Sequence, residues 1–431
     1  MLVRDLRRLL LVVGPLVVLV LLAASLWHPR TDYVRSRVGA LLGSKSNPWP
    51  ARPHRKPTLT ANETHYEIYS ASTADGKYFD IRFGVDAYNP NIIPHQTFNN
   101  TWHVVAQLWN DPHSNGFAQE FHEVGCLAQF VNDAMMCIGF VQNVSIEPTP
   151  GGKCEGDITY FSLNVGPHDA RVFYGPDYPL TIYGSNSGFT CFGMWIQDFR
   201  HLVEGEYKPT SNGDFAAGTE IHRPGTIRPV EKNYFLFWDK ENVMHVHYDI
   251  YPKRGFAKLE PDGSTGPELA TASAEQDEKC LNRYLPKMPP ELESIHQATN
   301  SLKITLCNRG EKDCEPNDSN TFILTIIQHK TFYDFHGEYE PYVVLFRQRA
   351  PFELYAISKK PLWFHGRKRY EGRRTDMFYL TSVNWRDRGV NYHGYLDDVV
   401  LLGFGVEDKN SAGLDVVAGD LLVDMGFCDE S

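Results

Sequence analysis

Beyond about residue 65 the chain is a succession of short apolar and aromatic runs, each bounded by Gly, Pro, Asn or Asp. Tyr78–Arg82, Trp102–Leu108, Met135–Gln142, Tyr160–Leu163, Tyr234–Trp238, Val243–Tyr248, Leu302–Leu306, Phe322–Gln328, Tyr342–Arg347, Met377–Val383 and Val399–Gly405 all have the composition of strands. The clearest block is Gly166–Val203. Arg171–Tyr174, Leu180–Tyr183 and Cys191–Trp195 read there as three strands, with Gly175–Pro176–Asp177 as a turn. Helical periodicity is scarce. A helical turn is expected within Pro290–Asn300, and Gly116–Phe130 fits either class. The prediction is an all-β fold, a sandwich or a propeller. Repeats of fixed period are missing, which disfavours WD40 and kelch arrays. Aromatics at 13%, with 34 Gly and 27 Pro, suit a turn-rich β protein that binds sugars by stacking.

Ahead of this body lies Leu9–Trp27, an uncharged run of mostly Leu and Val, about long enough to span a bilayer. Arg4, Arg7 and Arg8 precede it, so residues 1–8 are expected in the cytosol and the body in the lumen. The rival reading is a cleaved signal peptide with Ala23–Ala24–Ser25 as its site, for which the apolar run is long. Residues 28–60, rich in Pro, Arg, Ser and Lys, read as a stem, and 61–431 as the working domain. A short span behind basic residues predicts a single-pass type II protein of the Golgi or ER membrane.

Residues 1–56 hold ten basic and two acidic residues, leaving 32 basic against 51 acidic in the remainder. A body that acidic is a poor nucleic-acid binder. All eight cysteines lie beyond the apolar segment, and Cys126–Cys137 and Cys307–Cys314 are the expected nearest bridges. Sequons at Asn62, Asn99, Asn143 and Asn317 agree with a lumenal body. No Cys/His cluster has zinc spacing, and no cofactor or metal is expected. On His245–Asp249, alternation sets His245, His247 and Asp249 on one strand face, where they could hold a metal, line a polar channel or serve structure alone.

Five sets of residues share an order. They are Asn89–Pro90–Asn91–Ile92–Ile93 with Phe98–Asn99 and Trp102–Leu108; His168–Asp169–Ala170–Arg171 with Tyr183–Gly184–Ser185; Val230–Glu231–Lys232–Asn233–Tyr234 through Phe237; Phe322–His329, Tyr342–Phe346 and Ala350–Pro351–Phe352; and Tyr379–Trp385 with Leu402–Asp408. This series resembles the blade motifs of five-bladed β-propeller glycan-active enzymes, above all the β-mannoside phosphorylases and β-1,2-mannosyltransferases. Ala170 stands where that group's Asp-Pro-Arg motif has proline. The whole chain also resembles a group of fungal type II membrane proteins. The resemblance covers residues 85–425 and implies a five-bladed β-propeller lumenal domain behind the N-terminal transmembrane helix, acting on a glycan acceptor and a sugar donor.

Sugar transfer or cleavage needs a carboxyl group to give or take a proton. Asp169, at the motif position, is the first candidate and Glu231 the second, although Glu231 could also hold a loop. Arg171 and Lys232 offer cations for phosphate. Asn91, Asn233 and His247 are further expected substrate contacts. So are His296, Gln297 and Asn300 from the polar stretch Glu293–Ser301, and Glu340, Trp385 and Asp408. No GxSxG elbow, Walker loop or Asp-x-Asp metal motif occurs. The expected activity is a glycosyltransferase adding a mannose-like sugar to cell-wall or glycoprotein glycans. The alternatives are a trimming hydrolase or phosphorylase and a non-catalytic glycan-binding propeller.

Overall fold

The computed structural model describes residues 63–109, 119–203, 207, 213–289, 291–333, 335–371 and 374–429, all within one compact unit, Trp49–Ser431. The expected cytosolic tail, membrane span and stem, and Asn62, lie outside these residues. Among the described residues no helix is long and apolar enough to cross a membrane.

The fold is all-β and β-propeller-like, built from five antiparallel modules in chain order. The first is Ala87–Pro94, Trp102–Leu108, Glu123–Val131 and Ala134–Cys137. The second is His168–Tyr174, Pro179–Asn186, Phe192–Asp198 and Thr219–Ile221. The third has three strands, Phe235–Trp238, Met244–Asp249 and Gly255–Lys258. The fourth runs Ser301–Thr305, Thr321–Tyr333, His336–Arg347 and Leu354–Ser358, with Met425–Phe427 added at its far edge. The fifth is Phe378–Trp385, Val399–Val406 and Asn410–Val417. Its outer strand, Phe79–Arg82, comes from ahead of the first module and also pairs in parallel with that module's Ala134–Cys137. The two ends of the ring are thereby stitched together, which removes two exposed edges.

Each module packs on the next through its own apolar cluster. Ile93 and Val105 meet Val172 and Tyr183 between modules one and two. Leu180 and Ile196 meet Leu236 and Val246 between two and three. Phe237 and Phe256 meet Val344 and Phe346 between three and four. Leu324 and Val343 meet Leu380 and Leu402 between four and five. Ile92 and Trp102 meet Phe79 and Leu401 between one and five. Five clusters in cyclic order define a ring.

The first strands of modules one, two, three and five lie buried with an unpaired edge, whose N–H and C=O groups need partners, while that of module four also pairs in parallel with His393–Tyr395. Side chains supply them. Asn91 donates to Ala170 O (2.6 Å) and accepts from the Val172 N–H (3.1 Å), tying module one to two. Asn300 takes both the Val383 N–H (3.1 Å) and C=O (2.6 Å), and Gln328 does the same for Leu380 (2.8 and 2.9 Å), tying four to five. Ser301 donates to Leu236 O (2.6 Å), and Thr381 to Pro90 O (3.0 Å).

Several expectations are corrected. Tyr160–Leu163 belongs to a 3-10 helix, Gly156–Leu163, with no buried residue and so no face for a sheet to cover. Within Pro290–Asn300 the helical turn gives way to a strand, Glu293–His296, paired with the long hairpin of module four. The helix instead spans Ala274–Tyr284, a charged stretch with only Asp277, Cys280 and Leu281 buried. It is pinned by the Arg254–Asp277 ion pair (2.9 Å) and the Cys280–Cys428 disulfide rather than by an apolar stripe. Cys126–Cys137 and Cys307–Cys314 are bonded as expected, and Cys154–Cys191 completes four disulfides, consistent with an oxidising compartment. Asn99, Asn143 and Asn317 are exposed.

Asn300→Leu strands both main-chain groups of Val383. The expected loss is about 1–3 kcal/mol for each orphaned group. It is read as a lower urea midpoint, against an unchanged midpoint for Asn143→Leu on the surface.

Candidate functional site

Three of the five modules begin with an Asn or Asp in the left-handed backbone region: Asn89 (φ 55°), Asp169 (φ 50°) and Asn233 (φ 60°). These residue types tolerate that region because their short polar side chains bond locally. The strand register slips between Tyr88 and Asn91 and between His168 and Arg171, so Asn89 and Asp169 sit in bulges. A bulge re-aims its side chain and interrupts pairing. Here it turns the carboxylate of Asp169 out of the ladder and into one mouth of the ring.

Asp169 is held from module one. Asn89 Nδ2 donates to its Oδ1 (2.8 Å). Its own N–H donates to Gln107 Oε1, and the next N–H, of Ala170, donates to Glu123 Oε1, both at 2.9 Å. Gln107 and Glu123 are cross-strand partners. Glu123 is buried, burial pushes its carboxyl well up, and its Oε2 has no protein partner. Burial thus disfavours the charged form of the carboxyl that stands directly behind Asp169.

Other groups face the same mouth. Asp408 follows the strand Val399–Val406 in a turn where Glu407 and Asp408 are both left-handed. Its carboxyl is pushed up to about 6, first by desolvation and then by the charge of Asp169. Asp408 itself is exposed to solvent. The Tyr379 hydroxyl is pushed up to about 12 and that of Tyr339 also upward, by desolvation with the charges of Asp169 and Asp408 contributing. The Lys232 ammonium is pushed down by desolvation, against the pull of Asp169 and with the help of Lys330. His296 is lowered to about 4 by desolvation and then by Lys330 and Lys232. Desolvation likewise takes His168 to about 4, and its Nε2 is buried without a protein partner. Among the described residues neither Lys232 nor Lys330 forms an ion pair within 4.0 Å. Lys232 lies over Phe161 (5.0 Å), and Lys330 over Phe332 (5.2 Å).

Arg171 runs beneath this group, 4% exposed. Its Nε donates to Ala298 O (2.6 Å), its Nη1 to Asp169 O, and its Nη2 lies 3.5 Å from Asn233 Oδ1. Tyr379 donates to the same Asn233 oxygen (3.3 Å), and Asn233 Nδ2 lies 3.5 Å from His296 Nδ1. The structure thus brings together Asp169, Arg171, Lys232, Asn233, His296 and Asp408 from the sequence-based candidates.

The remaining candidates lie elsewhere. Glu231 is buried against the Arg228 N–H (2.8 Å) and Arg223 (3.5 Å), beside Asp249, so its charge is spent on holding the loop before module three. Asn91 and Asn300 are the inter-module ties described above, and Gln297 is another, donating to His247 O (3.0 Å). His247 is fully buried, stacked on Phe235 (4.5 Å) and bonded to Gln297 (2.9 Å) and Arg254 (3.3 Å). His245 stacks on Phe237, and Asp249 pairs with Arg223 and Arg228, so the three residues of that strand do not converge. Among the described residues no group of three or more His, Cys, Asp or Glu is placed to hold a metal. Glu340 pairs with His65 (2.5 Å) and Arg367 (3.3 Å). Trp385 is core, donating to Tyr392 O (3.1 Å).

Gln107, Glu123, Lys330, Tyr339 and Tyr379 were not anticipated as site residues. Glu123 carried a signal, since a lone carboxylate opens an otherwise apolar strand.

No family model matches the chain, and no curated protein sequence matches it. Among solved structures it is similar to a beta-1,2-mannobiose phosphorylase from Listeria innocua (TM-score 0.40, 12% identity, covering 78% of this chain and 91% of that one). It is also similar to MPT-1, a GDP-Man-dependent mannosyltransferase from Leishmania mexicana (0.42, 11%, 79% and 89%). A third is an alpha-L-arabinofuranosidase from Lactobacillus brevis (0.39, 9%, 77% and 91%). The ring topology stands on the strand pairing itself.

The mouth's electrostatics can be read from Asp408. Removing the charge of Asp169 in Asp169→Asn is expected to lower the Asp408 midpoint from about 6 toward an ordinary aspartate. Removing the opposing cation in Lys330→Met is expected to raise it. A carboxyl-carbon NMR titration that moves the same way in both variants would show that the two charges do not act on Asp408.

Proposed function

We propose that the chain is a glycan-modifying enzyme of the secretory pathway, a glycosyltransferase that moves a mannose-like sugar from a phosphate-bearing donor to a glycan hydroxyl. One observation carries it. A carboxylate (Asp169), a carboxyl with a midpoint of about 6 (Asp408) and two lysines without carboxylate partners among the described residues face one mouth. Group transfer from a sugar phosphate uses a base for the acceptor proton and cations for the departing phosphate.

The carboxylate of Asp169 takes the proton of the acceptor hydroxyl. The acceptor oxygen bonds to the anomeric carbon, and the bond from that carbon to the phosphate oxygen breaks, its electron pair leaving with the phosphate. Lys232 and Lys330 receive the charge that builds up on the departing group, with Arg171 and Asn233 fixing the floor beneath. Asp408, while protonated, donates a hydrogen bond to a sugar or phosphate oxygen. Gln107, Glu123 and Asn89 keep Asp169 in its left-handed bulge and so fix the direction of its carboxylate.

The neutral Asp408 also favours a second reading. A phosphorylase or hydrolase protonates the leaving oxygen of a glycosidic bond, and Asp408 would supply that proton while the lysines hold free phosphate. In either reading the cytosolic tail 1–8, anchor 9–27 and stem 28–60 would hold the domain 61–431 at the lumenal face of a Golgi or ER membrane.

The purified protein is incubated with GDP-mannose, other nucleotide sugars, mannose 1-phosphate and β-mannosides, and products are read by mass spectrometry. Sugar addition is expected, with kcat reduced about 10²–10⁴-fold in Asp169→Ala and donor KM raised about 10- to 100-fold in Lys232→Ala. Sugar release needing only water or phosphate would turn the assignment to the trimming enzyme. Glycan binding without turnover would leave a lectin-like protein. Because the protonated form of Asp408 is the working one, kcat/KM should fall as pH rises through about 6, and Asp408→Asn should flatten that limb.

A further inference from the structure

The longest hairpin of the fold, Thr321–Tyr333 with His336–Arg347, extends well past its module. Thr321–Gln328 is buried throughout, and from His329 onward the strand is only partly covered. The register pairs Lys330 with Tyr339 and Phe332 with Gly337. Directly opposed residues point to one face of a sheet, and so do residues two apart. The ammonium of Lys330 accordingly stands over both rings, 5.5 Å from Tyr339 and 5.2 Å from Phe332. Tyr339 in turn lies 4.8 Å from Tyr379, whose hydroxyl bonds Asn233 at the mouth. One continuous face therefore runs from the mouth to Tyr339 and Lys330, and on to Gly337 and Phe332.

The far end of this face is open. Gly337 itself is buried, covered by Tyr339, Lys330 and Met377, which lie 3.4 to 3.6 Å from where a Cβ would stand. Phe332 is 42% exposed beside it, and Leu292, which accepts the Phe332 N–H (3.0 Å), is 57% exposed. Apolar side chains held in water next to a polar mouth mark a ligand surface. The edges are polar, with Lys330, Ser294 and the Tyr339 hydroxyl. A pyranose has the matching make-up, one face of C–H groups and a rim of hydroxyls. A lipid tail would need an unbroken apolar wall.

We infer that the outer half of this hairpin, centred on the exposed Phe332 and Leu292, binds the second and third sugar units of a neutral oligosaccharide acceptor whose end reacts at the mouth. The inference rests on the glycan-active reading and narrows its substrate to a chain of at least three units.

The test is calorimetric binding of mannose and of linear oligomannosides of two to five units to the full chain in detergent, alongside sugar transfer to mannose itself. Wild-type affinity should rise with length up to three units. Phe332→Ala should weaken binding of the trisaccharide about three- to tenfold, with mannose unchanged, and Phe332→Trp should restore it. Phe140→Ser, a 69% exposed phenylalanine placed elsewhere in sequence, is the control and should change nothing. Equal urea midpoints show that each variant folds. Wild-type binding that ignores length, no binding of any oligosaccharide, or the same loss in the Phe140 variant overturns the platform. Length-dependent binding lost in Phe332→Ala, with no transfer from any donor, sinks the transferase reading and supports the platform. Transfer to mannose with no length dependence does the reverse.

Discussion

Four of the five innermost strands have a buried edge that no ladder satisfies, and only the remaining one, Ser301–Thr305, gains a parallel partner there, His393–Tyr395. Everything near the axis answers that constraint. A sheet edge away from water must find acceptors and donors or lose the free energy of each unmade bond. This fold meets the demand with side chains that imitate a strand. Asn300 and Gln328 each offer a carbonyl and an amide to one residue of module five, and Asn91 spans two residues of module two. Hydroxyls of Ser301 and Thr381 fill places where a single bond suffices. Apolar clusters hold the modules together, and the amides set their register.

The same demand explains why the site is where it is. Asn91 and Arg171 each follow a left-handed bulge by two residues, yet both turn inward to satisfy main-chain groups. Their neighbours Asn89 and Asp169, inside the bulges, are released from the ladder and bond to each other at the mouth. A bulge therefore divides labour along one strand, structural on one side and chemical on the other. Glu123 shows the cost of that arrangement. Holding Asp169 in place needs an acceptor for the Ala170 N–H, and a carboxyl buried to provide it is pushed toward its uncharged form.

Much of the fold was legible because strand periodicity and turn residues report it directly, and the all-β expectation holds. The helix Ala274–Tyr284 was not, since its stability comes from an ion pair and a disulfide between residues far apart in sequence. The site was legible where polar residues stand at strand starts, as with Asp169, Lys232 and Asn233. It was misleading where the same residue types satisfy buried edges, because Asn91, Gln297 and Asn300 have the composition of a sugar site and the geometry of a brace. Glu231 and Lys232 are adjacent in sequence and part company in space, one to a loop-holding ion pair and the other to the mouth. Tyr339 and Lys330 escaped notice because only the register of a long hairpin brings them to Tyr379 and Asp408.

The body of the protein is acidic, with 51 carboxylates against 32 basic groups beyond residue 56. In that field a lysine would be expected to find a carboxylate partner, as Lys77, Lys258, Lys279 and Lys359 do at the surface. Lys232 and Lys330 do not. Among the described residues they are packed against aromatic rings instead, and Lys330 holds the Asp408 carboxyl lower than desolvation alone would set it. Each element of this arrangement is unfavourable in isolation: a desolvated ammonium, an aspartate whose carboxyl is pushed up to about 6, and a buried glutamate with one oxygen unbonded to protein. An anion seated between the lysines would oppose the desolvation that weighs on the Lys232 ammonium, while adding to the negative charge that already raises the Asp408 carboxyl, so the two effects pull against each other in one opening.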